Sequence, residues 1–113
     1  MRTTALLSIA IAGLCTAIVS ASSLAQPAAG NPQRGREFAA RLCITCHVID
    51  RTTTGPVRAD VPSFPAIARR SGSTAEYLAG KIIVPHPAMP GIALTADEVR
   101  DIVAYIVSLK QSD

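Results

Sequence analysis

The chain has 113 residues, 49% of them hydrophobic, and carries 11 basic against 8 acidic side chains for a net charge of +3. That length holds one domain and excludes a large multidomain enzyme, and the mild charge makes no case for nucleic acid. The apolar content excludes a disordered chain, and its concentration at one end, with 16 hydrophobic residues among the first 25 against 39 among the remaining 88, excludes a polytopic membrane protein.

Residues 1–25 read as a secretory signal peptide. Arg2 supplies the positive start, and Ala5 to Val19 is an uncharged, mostly apolar run of 15 residues. That run is shorter than the ~20 residues of a spanning helix. Ser23-Leu24-Ala25 then puts small residues at the −3 and −1 positions of a cleavage site, predicting cleavage before Gln26. Stable membrane insertion is not expected once this segment is removed. The 88 residues that follow keep Cys43, Cys46, His47, His86 and Met89. A domain of that size buries a limited core and calls for a disulfide, a metal or a cofactor as a staple.

Residues 26–33, uncharged with two prolines, read as a flexible linker, and 34–113 as the folded domain. Without strand alternation, the expected fold class is all-α, with four short helices. The first takes Asn31 as N-cap and Pro32 at its first position, and runs through Phe38, Ala39 and Leu42 towards Cys43.

Cys43-Ile44-Thr45-Cys46-His47 is the C-x-x-C-H pattern of c-type haem attachment. Two cysteines three apart on one helical turn share a face, so both thiols reach the vinyl groups on one haem edge, and His47 follows as proximal iron ligand. Three other readings compete. A Cys₂His₂ zinc site would need His86 and would crowd Cys46 and His47 onto one tetrahedral ion. A thioredoxin-type redox pair lacks its βαβ setting. A plain Cys43–Cys46 disulfide is compatible with export.

A turn-rich loop spans about Val48 to Pro62. A second helix begins near Ser63, with Pro65 in its first turn, and Gly72 ends it. A third starts at Ser73, where Ser73-x-x-Glu76 reads as a capping box, and Pro85 stops it; Tyr77, Leu78, Lys81 and Ile82 share one mostly apolar face. In the next loop, Pro85-His86-Pro87-Ala88-Met89-Pro90, Met89 is the candidate sixth ligand. It stands in a loop framed by prolines instead of on an apolar helix stripe, and its soft thioether favours ferrous iron. His86 is its rival. The fourth helix opens with a second capping box, Thr95-x-x-Glu98, and continues through Val99, Ile102, Val103 and Ile106 at helical spacing.

Taken together, the leader, the C-x-x-C-H after a short helix, His-Pro-x-Met-Pro and the closing amphipathic helix resemble a small bacterial class I cytochrome c over residues 32–110. The resemblance implies a monohaem cytochrome c fold with the first and last helices crossing, Gly35 as the small residue at the crossing and Tyr105 as the aromatic of the last helix. The family's first-helix aromatic falls at Ala39, where this chain has Phe38 one place earlier. The family's proline carbonyl, which holds the proximal histidine, matches Pro56, with Pro62 as the alternative. Phe64, Ile67, Tyr77, Ile82 and Leu94 are expected on the haem wall. Arg51, Arg58, Arg69 and Arg70 are candidates for haem propionates or a docking face, against a default of solvated surface.

The expectation is thus a periplasmic single-electron carrier, not an enzyme, with one haem c bound through Cys43 and Cys46 and its iron held by His47 and Met89. Its partners would be redox proteins, a reductase and an oxidase. Alternatives are the haem subunit of a periplasmic dehydrogenase complex, or a ligand-binding haem protein whose sixth site is open or held by His86.

Overall fold

The computed structural model describes residues 29–52, 58–87 and 89–110. The expected leader, at residues 1–25, lies outside them. Four α-helices follow one another: α1 (Pro32–Leu42), α2 (Phe64–Arg69), α3 (Ala75–Ile83) and α4 (Ala96–Ser108). Among the described residues there is no strand, and no helix is long and apolar enough to cross a membrane. The all-α class with four short helices, expected from the residues, is what the described residues show, in the helical arrangement that the resemblance implied.

Helix α4 is the centre of the domain and packs against each of the other three. It buries Val99, Ile102, Val103, Tyr105 and Ile106 on one face. Its start is set locally. The Thr95 hydroxyl accepts from the Glu98 N–H at 3.2 Å, while the Glu98 carboxylate accepts from the Thr95 N–H at 2.7 Å. These bonds satisfy amide donors that a helix start leaves without partners.

Helix α1 approaches α4 through small residues. It buries only Gly35 and Ala39, and a Cβ built on Gly35 would run into the carbonyl of Asp101 and stand 2.8 Å from the Tyr105 Cβ. Gly35 and Tyr105 therefore meet at the crossing, as the resemblance implied. Ala39 is fully buried there, while Phe38, one residue earlier, is only partly buried and lies under the Arg41 guanidinium at 5.0 Å. The crossing is closed by a small side chain where the family places an aromatic.

Asp101, 3% exposed, locks the same contact. Its carboxylate accepts from the Asn31 backbone N–H at 2.6 Å and from Arg34 Nε at 2.7 Å. Asn31 in turn caps α1, its side chain accepting from the Arg34 N–H at 2.9 Å. A Cβ on Gly30 would likewise meet the carbonyl of Arg100. Residues 30–33, the end of the stretch expected as a linker over 26–33, are packed here, held by the helix cap, the Asp101 bonds and the close approach of Gly30 to Arg100; residues 26–28 lie outside the described residues.

The capping of α3 also differs from the expected box. Its N-cap is Thr74, whose side chain accepts from the Tyr77 N–H at 3.2 Å. Ser73 instead donates its hydroxyl to the Ile67 carbonyl at 2.7 Å, closing off the end of α2. Gly72 between them has φ +82°, the left-handed backbone that favours glycine and lets the chain reverse. Two adjacent hydroxyl residues compete for one cap, and the direction of that reversal decides between them.

Candidate functional site

The five-residue pattern continues the last turn of α1. Cys43 is its C-cap, donating its N–H to the Ala39 carbonyl at 2.9 Å. The Cys43 carbonyl then accepts from the Cys46 N–H at 3.1 Å and the His47 N–H at 2.8 Å, a further helical turn that brings both thiols and the imidazole onto one wall. Both cysteines are free and half-buried. Burial pushes the Cys43 thiol up to about 11, with Cys46 adding to the shift. At neutral pH Cys43 is therefore a thiol, unlike the thiolates of redox-active pairs.

The segment after His47 is pinned on three sides. The Ile49 carbonyl accepts from the buried Tyr105 hydroxyl at 3.0 Å, Asp50 pairs with Arg36 at 2.8 Å, and the Val48 carbonyl accepts from the Phe64 N–H at 2.9 Å. These contacts hold the chain beyond His47 against α1, α4 and the start of α2.

His47 is 9% exposed, with the Phe64 ring 5.3 Å away. Its Nδ1 lies 2.8 Å from the Pro62 carbonyl oxygen. With Nδ1–H donating, Nε2 keeps its lone pair for a metal, and the ring cannot swing. The carbonyl that holds the histidine is thus that of Pro62, the alternative, in the role first assigned to Pro56; Pro56 itself lies outside the described residues. Residue spacing could not separate the two prolines, since the choice depends on how the loop folds back from Val48 to Ser63.

The wall belongs to a cavity of about 520 Å³, within the range of cofactor sites. Phe64, Ile67, Tyr77, Ile82 and Leu94 all line it, as expected from the sequence. So do Ile102 and Ile106, the α4 residues that sequence periodicity assigned to the core without distinguishing core from cavity. Of the four arginines considered for this region, Arg58 and Arg70 reach the cavity, joined by Lys81. Arg58 pairs with Asp60 at 3.1 Å, and this pairing lowers the Asp60 carboxyl from its usual range.

Across the cavity runs the proline-framed loop. Met89 and His86 both line the cavity and are both half-buried. The Met89 N–H donates to the His86 carbonyl at 3.0 Å, so one tight turn carries both side chains. The rings of His86 and His47 stand 6.4 Å apart, centre to centre, with planes at 85°.

This donor set fits a c-type haem. Two free thiols share a wall with an imidazole whose outer nitrogen is tied, and a thioether lines the same apolar cavity. It does not fit the competing readings. Among the described residues no three or more His, Cys, Asp or Glu side chains form a metal-holding group, which leaves zinc without its tetrad. The two cysteines form no disulfide.

Sequence comparison points the same way. Residues 30–106 match the family described as cytochrome c oxidase, cbb3-type, subunit III. Cytochrome c-552 of Bradyrhizobium diazoefficiens is 40% identical over 98 residues, a stretch covering 87% of this chain and 93% of that protein. No solved structure matches the chain.

Proposed function

The chain belongs to the c-type cytochromes, in the family of the cbb3-type oxidase subunit III, and from that premise we propose that it is an exported, diffusible carrier of single electrons with His47 and Met89 as its axial ligands. The observation that carries the ligand assignment is the shared cavity. His47, tied through Nδ1 to Pro62, and Met89, on its proline-framed turn, both line it.

Haem c, when bound, supplies an iron that alternates between the ferrous and ferric states. The protein's own residues do the rest. Cys43 and Cys46 would anchor the group through thioethers. Pro62 holds the His47 ring in one orientation, with Nε2 turned to the metal. Met89 offers a soft ligand that favours the reduced state, and the apolar wall excludes water, which adds to the same preference. With His47 and Met89 both available to hold the iron, no substrate would need to reach it.

Export is supported by Arg2, the apolar run from Ala5 to Val19 and the Ser23-Leu24-Ala25 site, and it would deliver the carrier to the periplasm. The redox partners are a reductase and an oxidase, touching the cytochrome transiently. A second reading, a haem subunit held within an oxidoreductase complex, draws support from the oxidase-subunit description of the matching family. Gel filtration at native concentration separates the two, since only a subunit co-elutes with a larger assembly.

The core test is a pyridine haemochrome spectrum of the exported protein, made alongside the haem-attachment machinery. Covalent haem is the expected result, and its absence ends the proposal. The ferric protein should also show a sulfur-to-iron charge-transfer band that Met89→Ala abolishes. N-terminal sequencing should begin at Gln26.

A further inference from the structure

Among the described residues, His86 is the imidazole lining the cavity that this reading leaves unused. It shares the turn that carries Met89, and its ring stands 6.4 Å from that of His47. Metal–nitrogen bonds of about 2 Å, with each nitrogen about 1.1 Å from its ring centre, put two imidazoles on opposite sides of one metal at about 6 Å. The observed separation therefore suits two rings sharing a metal between them.

The second observation concerns the nitrogen facing away from such a metal. His86 Nδ1 lies 3.2 Å from the Pro87 carbonyl oxygen, as His47 Nδ1 lies 2.8 Å from that of Pro62. Both histidines thus have a proline carbonyl available to hold Nδ1–H, which leaves Nε2 as the donor. The third is the turn itself. The His86 carbonyl accepts from the Met89 N–H at 3.0 Å, and Pro85, Pro87 and Pro90 restrict the backbone around it. Both side chains line the cavity from this one stretch of chain.

We propose that His86 is a reserve axial ligand, which takes the place of Met89 opposite His47 when the thioether is withdrawn. The inference rests on the haem reading above. In the exchange the bond to the Met89 sulfur would break, the sulfur leaving as a neutral thioether, and the His86 Nε2 lone pair would form the new bond, any proton on that nitrogen passing to solvent. No electron is transferred. The consequence is protective: withdrawal of Met89 would not open the iron to small ligands. The swap would also lower the reduction potential, because imidazole favours the ferric state more than a thioether does.

The test uses the holoprotein and two variants, Met89→Ala and the double variant Met89→Ala/His86→Ala; Met89→Leu, closer in volume, replaces alanine should the first fail to assemble. The expected result is a ferric single variant that stays low-spin with a two-imidazole electron paramagnetic resonance spectrum, unchanged on dilution. Its ferrous form should bind carbon monoxide at least ten-fold more weakly than the double variant, which should be high-spin. A single variant that is high-spin and binds carbon monoxide as readily as the double variant overturns the proposal. So does a wild-type protein that already shows two-imidazole ligation and no sulfur-to-iron band. Failure of the wild type to carry covalent haem at all would instead remove the parent reading, and the pyridine haemochrome spectrum reports that separately.

Discussion

Gly35 of α1 lies directly on the backbone of Asp101 in α4, so close that a Cβ at position 35 would collide with the Asp101 carbonyl. Two effects compete in Gly35→Ala. Alanine gains about 1 kcal/mol of helix propensity, but the clash is with backbone and cannot be relieved by turning a side chain. The helices must separate, and overpacking of this kind costs about 1–3 kcal/mol. Gly80 in α3 is the control, because nothing lies within 4 Å of a Cβ built there. Guanidinium unfolding of the holoprotein should show Gly35→Ala destabilised and Gly80→Ala stabilised by about 0.5–1 kcal/mol. Equal behaviour of the two would refute the close crossing.

Tyr105→Phe keeps the ring but removes the hydroxyl that donates to the Ile49 carbonyl at 3.0 Å. That carbonyl would then be left unpaired in a buried setting, at about 1–3 kcal/mol. Because Ile49 follows His47 by two residues, the loss should loosen the segment beyond the imidazole. Hydrogen exchange should quicken between residues 48 and 52 and remain unchanged in α3. Uniform quickening across the domain would argue against this anchoring role.

Asp101 gives stability a pH dependence. Its carboxyl is held below the usual range first by the Arg34 hydrogen bond and then by the Asn31 N–H. A carboxyl depressed in the folded state contributes fully above its unfolded value of about 3.9 and loses that contribution as pH falls through the folded value. The thermal midpoint of the wild type should therefore drop on acidification below about pH 4. Asp101→Asn should be less stable at neutral pH and show a shallower drop over the same acid window. Parallel curves for the two proteins would mean that Asp101 does not carry this linkage.

Thr95→Ala removes the hydroxyl that accepts from the Glu98 N–H at 3.2 Å and donates to the Glu98 carboxylate at 2.9 Å, leaving only the carboxylate's bond from the residue 95 backbone N–H. Loss of an N-cap costs about 0.5–2 kcal/mol. At α3 the two candidate caps should separate cleanly. Thr74→Ala should fray the start of α3, whereas Ser73→Ala should free the end of α2, where its hydroxyl meets the Ile67 carbonyl. Amide exchange at Tyr77 distinguishes them, rising in the Thr74 variant alone.

Much of this protein was written in local signals. The caps at Asn31, Ser63 and Thr95, the helical spacing of α4 and the C-x-x-C-H of residues 43–47 each depend on neighbours within a turn, so sequence alone marked where those helices begin and which residues are the candidates to carry a haem. Other features depend on segments far apart in the chain. Pro62 meets His47 across 15 residues and Asp101 meets Asn31 across 70. No periodicity reports such contacts, which is why Pro62 against Pro56, and the bond that ties the Asn31 cap to Asp101, waited for the fold. The separation of His86 from His47 belongs to the same class. It is set by how the loop around residues 85–90 folds across the cavity, and only tertiary structure brings those two rings to 6.4 Å.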